Sequence, residues 1–234
     1  MIFVANNIEF LQAETYGNPI ITGVPVAAPL FDLAKANEAF ATSKPEDIIR
    51  QALSAAERPL ISTSFSAYSA ALLHMVQKIQ PDITILWCDT GFNTPATYRL
   101  VEKLVQQLNL NLKIYQPRLS AGHLEARYGG VPGLGTPEYK TFTQTVKLEP
   151  FKRAFEDLKP DLWITGIRQD ETEFRKTQNI FTWDARRLVT KVAPTFHWST
   201  GDLADYITQH NLPYELDYLD PTKPKEHMEC GLHY

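Results

Sequence analysis

The stretch that decides the fold is 58–79, "RPLISTSFSAYSAALLHMVQKI". Its first part, "PLISTSF", carries β-branched and aromatic residues at alternate positions, Ile61, Thr63 and Phe65, and this predicts a strand. From there Leu72, Met75, Val76 and Ile79 recur at helical spacing. The order is strand, turn, helix, and it repeats at once. "DITILWCD" (82–89) reads as a buried strand, "TGFNTP" (90–95) as a turn, and Leu100, Val101, Leu104, Val105 and Leu108 as one face of a helix. "NLKIYQ" (111–116) predicts a third strand. Upstream, "EDIIRQALSAAE" (46–57) after Pro45 is helix-like. Downstream, "EPFKRAFEDL" (149–158) predicts a helix with Pro150 in its first turn, "LWITGI" (162–167) a strand and "GDLADYITQH" (201–210) another helix. The Gly- and Pro-rich "YGGVPGLGTPEY" (128–139) predicts a mobile surface loop. Strands alternating with helices imply an α/β fold with a twisted, mainly parallel sheet covered on both faces. Ligands of such sheets gather outside the carboxyl ends of the strands, so the residues just after each strand carry most weight.

With 44% apolar and 21% charged residues, the 234-residue chain has an ordinary soluble composition. A net charge of −4 gives no general attraction to nucleic acid or anionic lipid, so affinity for phosphate must come from local clusters of Arg and Lys. No apolar run approaches the ~18 residues of a membrane span. The N-terminal "MIFVANNIEF" lacks the basic start and apolar middle of a signal peptide, so a cytoplasmic protein is expected. Two cysteines cannot form a disulfide framework, nor by themselves ligate a structural zinc or an iron-sulfur cluster. Cys88, inside "ITILWCDTG", reads as a buried small hydrophobe, and a Cys88–Cys230 disulfide is disfavoured in a reducing compartment. That leaves Cys230, near the end of the terminal "KEHMECGLHY", as the reactive candidate, against the alternative of an inert terminal thiol.

Several groups sit at predicted strand ends. Ser62, Ser64, Ser66 and Ser69 surround a turn into a helix, where hydroxyls and backbone N–H groups suit an anion or simply cap the helix; no "GxxxxGK" is present. In "DTG", Asp89, Thr90 and Gly91 follow the second strand, and Asp89 suits a base, a ribose, a metal or the capping of its own turn. In "GIRQDETEFRKT" (166–177), Arg168 and Arg175 flank three acidic residues, giving either planar forks for phosphate and sulfate oxygens or a solvated charged loop. Lys147, Lys152 and Arg153 lie near a helix start, where positive charge opposes the dipole and is easier to understand beside a bound anion. His74, His123, His197 and His210 lack metal-ligand spacing and read as packing or surface residues, and no metal is assigned.

Read together, "STSFSAYSAALLH", "DTGFNTPATY", "VKLEPFKRAF", "GIRQDETEFR", "KVAPTFHW" and above all "ECGLH" occur in the order of the sulfonucleotide reductases. Residues 50–234 thus resemble the phosphoadenosine phosphosulfate (PAPS) reductase family. The resemblance implies a fold like that of the adenine nucleotide alpha hydrolases, with an extension at 1–49 packed on the main domain, a nucleotide-binding domain at 50–215 and a mobile catalytic tail at 216–234. It implies that Cys230 attacks the sulfonucleotide sulfur, that a cysteine S-sulfonate remains, and that thioredoxin or glutaredoxin releases sulfite. Lys147, Arg168 and Arg175 match family positions around the phosphosulfate and phosphate groups. Ser62, Ser64, Ser66 and Ser69 match the phosphate-binding loop, and Asp89, Thr90 and Gly91 the turn beside adenosine. Glu229 opposes thiolate formation at Cys230, so Lys225 or His233 must offset it. The cysteine motifs of iron-sulfur relatives are absent from "YKTFTQTV" before "KLEP", which implies no cluster and favours the 3′-phosphorylated substrate. A homodimer is implied as well.

Two departures stand out. Ser66 occupies a position commonly Gly in the family, and the family's "GYxSIG" and basic "GRW" segments give way to "DYLDPTKPKEHM" (217–228), where Lys223 and Lys225 are expected to supply the missing charge. Competing readings are an ATP pyrophosphatase of the same fold, whose Ser-Gly-Gly-x-Asp-Ser loop is lacking, and a non-catalytic sulfonucleotide sensor, which gives the tail cysteine no role.

Overall fold

The computed structural model describes residues 28–223 and Leu232. Elements run in the order α1 (Leu33–Phe40), α2 (Pro45–Ser54), β1 (Pro59–Thr63), α3 (Ser69–Ile79), β2 (Thr84–Cys88), α4 (Pro95–Leu108) and β3 (Leu112–Tyr115). They continue with α5 (Ala121–Tyr128), α6 (Pro137–Thr143), a π-helical turn at Gln144–Leu148, α7 (Glu149–Leu158), β4 (Leu162–Ile164), α8 (Glu173–Lys176), β5 (Phe181–Asp184), β6 (Val189–Val192) and α9 (Thr200–Gln209). The sheet order is β3-β2-β1-β4-β6-β5, parallel throughout except that β5 runs antiparallel to β6. β1 is central, with Ile61 opposite Ile85 on one side and Ile164 on the other.

Alternation along the strands builds two cores. Ile61, Ile85, Trp87, Ile164 and Val192 face a layer containing Ile48 and Ile49 of α2, Leu73 and Val76 of α3, Leu104 of α4 and Ile207 of α9. Leu60, Leu86, Trp163 and Val189 join Phe151, Ala154 and Phe155 of α7 in a second cluster. The chain steps from β1 to β2 to β3 in one direction and then returns to β4 on the far side of β1. With right-handed crossovers, that reversal sends α7 to the opposite face and opens a crevice between the ends of β1 and β4.

Local chemistry fixes the ends of these elements. Thr94 caps α4, accepting from Thr97 N at 3.1 Å with Pro95 following, and Asn109 ends the helix in a left-handed conformation. Ser199 and Asp202 form a reciprocal capping box at α9. Asn37 of α1 imitates a partner strand for the edge of β5, donating to the Phe181 carbonyl and accepting from Phe181 N, both at 2.8 Å.

Two local expectations change. The first strand stops at Thr63, and Phe65 turns out of it with a φ of +51°. The Gly- and Pro-rich passage is loop only as far as Thr136, because Thr136 caps α6 and Pro137 opens it. Of the expected N-terminal extension, 1–49, residues 1–27 lie outside the described residues; α2 spans its last position, and Ile48, Ile49 and Ala52 are buried in the main core.

Candidate active site

A cavity of about 480 Å³ opens at the crevice between β1 and β4. Its floor runs from the end of β1 through the following turn to the start of α3, where Ser62, Ser64, Ser66 and Ser69 all contribute to the lining. Ser62 Oγ accepts from Trp163 Nε1 at 2.8 Å, and Ser69 Oγ donates to the Ser66 carbonyl at 2.8 Å. The left-handed step falls on Phe65, whose ring is buried edge-on against Trp87 at 5.2 Å and whose N–H donates to Thr63 Oγ1. That step lets the residues on either side of Phe65 both reach the cavity. Ser66 has no positive φ, so its side chain stands where the family commonly has Gly without the steric cost of that backbone region.

The turn after β2 sends Cys88, Thr90 and Asn93 to the cavity, while Asp89 and Gly91 do not line it. The buried Asp89 carboxylate is consumed by its own turn. Oδ1 accepts from Gly91 N at 3.0 Å, from Asn93 Nδ2 at 2.8 Å and from Tyr98 OH at 2.8 Å, and Oδ2 accepts from Gln116 Nε2 at 2.8 Å. Burial and the bond to Asp89 push the Tyr98 hydroxyl up to about 12. Of the sequence alternatives for Asp89, the geometry corresponds to capping of the turn. Cys88 is half-buried and lines the cavity, which corrects its reading as a sealed core residue. The pleat explains the error: Thr84, Leu86 and Cys88 share one face, and at the strand end Cys88 packs against the second core on one side while opening to the crevice on the other.

Among the described residues, three buried cations line the cavity. Lys147 lies in the π-helical turn, an irregularity that widens the helix at the point where its side chain meets the cavity. Its ammonium pairs with the buried Asp220. Burial pushes the Asp220 carboxyl up, but the charge and hydrogen bond of Lys147, with the Thr222 hydroxyl and amide, outweigh it and hold the group below its ordinary 3.8. Arg168, just past β4, donates to the Trp198 carbonyl and Thr200 Oγ1, both at 3.1 Å, and to Asp170 at 3.3 Å. Arg175 in α8 pairs with Glu171, whose carboxylate also accepts from Arg168 N at 3.1 Å. Lys152 and Arg153 do not line the cavity; they pair along α7 with Glu156 and Glu149.

The opposite wall is the segment after α9, where Leu216, Tyr218, Asp220 and Lys223 line the cavity, together with Leu232. Leu232 is buried with Leu60, Leu86, Phe151 and Trp163 in the second core. Cys230, Lys225 and His233 lie outside the described residues. The sequence reading missed Thr165, Thr195, Glu171 and Asp220, all of which line the cavity. Thr165 was legible in principle as the first residue past β4, whereas nothing local marks Asp220. His74 is a packing residue, with Nδ1 3.0 Å from Tyr206 OH and its ring 4.8 Å from that of His210. Among the described residues no three His, Cys, Asp or Glu side chains group to hold a metal ion, and no helix is long and apolar enough to cross a membrane.

Residues 58–216 match the model of the phosphoadenosine phosphosulfate reductase domain. The chain belongs to the PAPS reductase family. A phosphoadenosine 5′-phosphosulfate reductase from Xylella fastidiosa strain M23 is 35% identical over 236 residues, covering 91% of this chain and 99% of that one. Another from Shewanella oneidensis is 33% identical over 196 residues, covering 74% and 79%. Among solved structures, the phosphate complex of PAPS reductase from Candida auris superposes with a TM-score of 0.69 at 23% identity, over 78% of this chain and 87% of that one. This likeness shows a shared α/β fold. Membership gives the cavity at the β1/β4 reversal its family context: the matched region contains the serine turn, Lys147, Arg168 and Arg175.

Proposed function

We propose that this protein reduces 3′-phosphoadenylyl sulfate to sulfite and adenosine 3′,5′-bisphosphate, with Cys230 as nucleophile. The observation that carries the reading is that Lys147, Arg168 and Arg175 share one cavity with Leu232, two residues past Cys230. Two residues of chain span at most about 7 Å, so the thiol is tethered within reach of the same cavity. The relatives named for this activity support the same reading.

In the first step the Cys230 thiolate attacks the sulfonyl sulfur. An S–S bond forms, the S–O bond to phosphate breaks, and its electron pair leaves on adenosine 3′,5′-bisphosphate. The three cations offset the charge of the sulfonate and phosphates as it shifts towards the leaving oxygen, and the Ser62–Ser69 turn offers hydroxyls and a helix N-terminus to a phosphate. Thr90 and the turn clamped by Asp89 and Gly91 border the adenosine. Lys225 or His233 counters the effect of Glu229 on the thiol. In the second step a thiolate of thioredoxin or glutaredoxin attacks Cys230 Sγ, sulfite departs with the electron pair of the S–S bond, and the carrier's second thiol resolves the mixed disulfide. Both electrons come from the carrier's dithiol, and no step calls on a metal, an iron-sulfur cluster or another bound cofactor. The carrier's role rests on the family resemblance. Lys223 and Lys225 supply charge beside the tail; exchanging both for Ala is expected to raise KM for the sulfonucleotide, and unchanged kinetics would refute that role. The working unit is a cytoplasmic homodimer, a state that sedimentation would report.

The test is intact mass after mixing with PAPS in the absence of reductant. A gain of one sulfonate, abolished in Cys230→Ser and discharged as sulfite by reduced thioredoxin, is expected. A protein that gains nothing, or a Ser variant that still releases sulfite, refutes the proposal.

A further inference from the structure

As far as Lys223 the segment after α9 has little regular structure, yet hydrogen bonds fasten it at Asp217 and again at Asp220. The Asp217 carbonyl accepts from Thr94 Oγ1 at 2.7 Å, at the cap of α4. Three residues on, the buried Asp220 carboxylate pairs with Lys147 through Oδ2, and its Oδ1 accepts from Thr222 N at 3.0 Å and from Thr222 Oγ1 at 2.7 Å. Thr222 is itself only 2% exposed. Between the two fastenings and just beyond, Tyr218, Asp220 and Lys223 form cavity wall.

We propose that Asp220 is a positioning residue for sulfonyl transfer: it fixes Lys147 and holds the segment Leu216–Lys223 as the wall from which the chain continues to Cys230. The inference rests on the reductase reading above. Two observations favour positioning over bulk stability. A buried ion pair contributes little net stability, because desolvating both charges cancels most of their attraction. Lys147 also shares the cavity with two guanidinium groups, and a lysine is a point charge on a flexible stem, so where it stands is set by the groups it pairs with. Asp220 is such a group, and it reaches Lys147 from the segment that leads into the tail.

Asp220→Asn keeps the outline and the acceptor for Thr222 but removes the charge. In single-turnover experiments with PAPS and no reductant, it is expected to form the Cys230 S-sulfonate about 10- to 100-fold more slowly. Affinity for adenosine 3′,5′-bisphosphate, measured by calorimetry, stays within about threefold of wild type, so the loss falls on the chemical step. Combining it with Lys147→Met is expected to be no slower than Lys147→Met alone, because Asp220 acts through Lys147. Thr222→Val, which leaves the ion pair intact and removes one hydroxyl from Oδ1, should slow transfer in the same direction by a smaller factor, and it serves if the Asn variant does not fold. A folded Asn variant with the wild-type rate, a loss confined to bisphosphate affinity, or additive effects in the double variant each overturn the inference alone. A wild-type protein that gains no sulfonate overturns the functional reading, and this inference with it.

Discussion

Asp89→Ala separates a turn clamp from a ligand-binding carboxylate. The substitution deletes an acceptor that serves four donors at 2.8–3.0 Å on a residue only 4% exposed. Hydrogen bonds to a charged group are worth roughly 1.5–3 kcal/mol each, but the four are not additive and some donors will find water, so a net loss of about 3–5 kcal/mol is expected. For a chain of this length that corresponds to a fall in Tm of roughly 10 °C. Asp89→Asn should cost much less. Oδ1 survives, and the new amide can donate to Gln116 once that side chain's own amide turns over, which leaves about 1–2 kcal/mol. The assay is urea unfolding of both variants, paired with calorimetric binding of adenosine 3′,5′-bisphosphate at a temperature where each is folded. If Asp89→Ala unfolds like wild type but no longer binds the nucleotide, the carboxylate is a ligand contact and the turn-clamp reasoning is wrong.

Gly91 holds a φ of +80°, and a Cβ there would meet Ala121 Cβ at 3.3 Å, so Gly91→Ala should destabilise by about 1–2 kcal/mol in urea unfolding. His74 is held below its ordinary 6.5 by burial and by the charges of His210 and Lys78. Its folded pKa therefore lies below its unfolded one, so the stability it contributes is present above pH 6.5 and is lost as pH falls through the folded pKa. His74→Asn should flatten the fall in Tm on acidification below pH 6.5, and an unchanged slope would refute this. Leu232→Ala shortens the apolar anchor beside Phe151 and Trp163. It should slow S-sulfonation about 5- to 30-fold, the factor that a lost anchor of about 1–2 kcal/mol implies, with little change in global Tm; a wild-type rate would show that the anchor does not serve the chemistry.

The two strand-turn-helix units were legible because a period of two gives way to a helical period within a few residues. The β5–β6 pair was not, because Arg187 and Lys191 break the apolar pattern on the strip between them. In the fold their charges are absorbed by the ring of Trp163, at 5.6 and 5.7 Å, and for Arg187 also by Asp184. The helices α5 and α6 were hidden by their brevity and by the glycines between them. In the site, the serine turn and both arginines were visible from their place after strands. The carboxylates of Glu171 and Asp220 were not, since an acid in a polar stretch reads as solvated until a fold sets a cation beside it. Cys88 was misjudged for the opposite reason: an apolar run ends without announcing which side of the pleat faces the opening.

The π-helical turn at Gln144–Leu148 carries a consequence for length rather than for composition. Such a turn houses one residue more than an α-helical turn, and one residue is about 100° of rotation around the axis. Deleting a single position there would anneal the rod from Pro137 to Leu158 into even winding and roll Lys147 off the cavity while leaving every side chain type in place. Chimeras spliced between relatives should therefore be joined outside this stretch, where a miscount by one would otherwise disarm the protein without unfolding it.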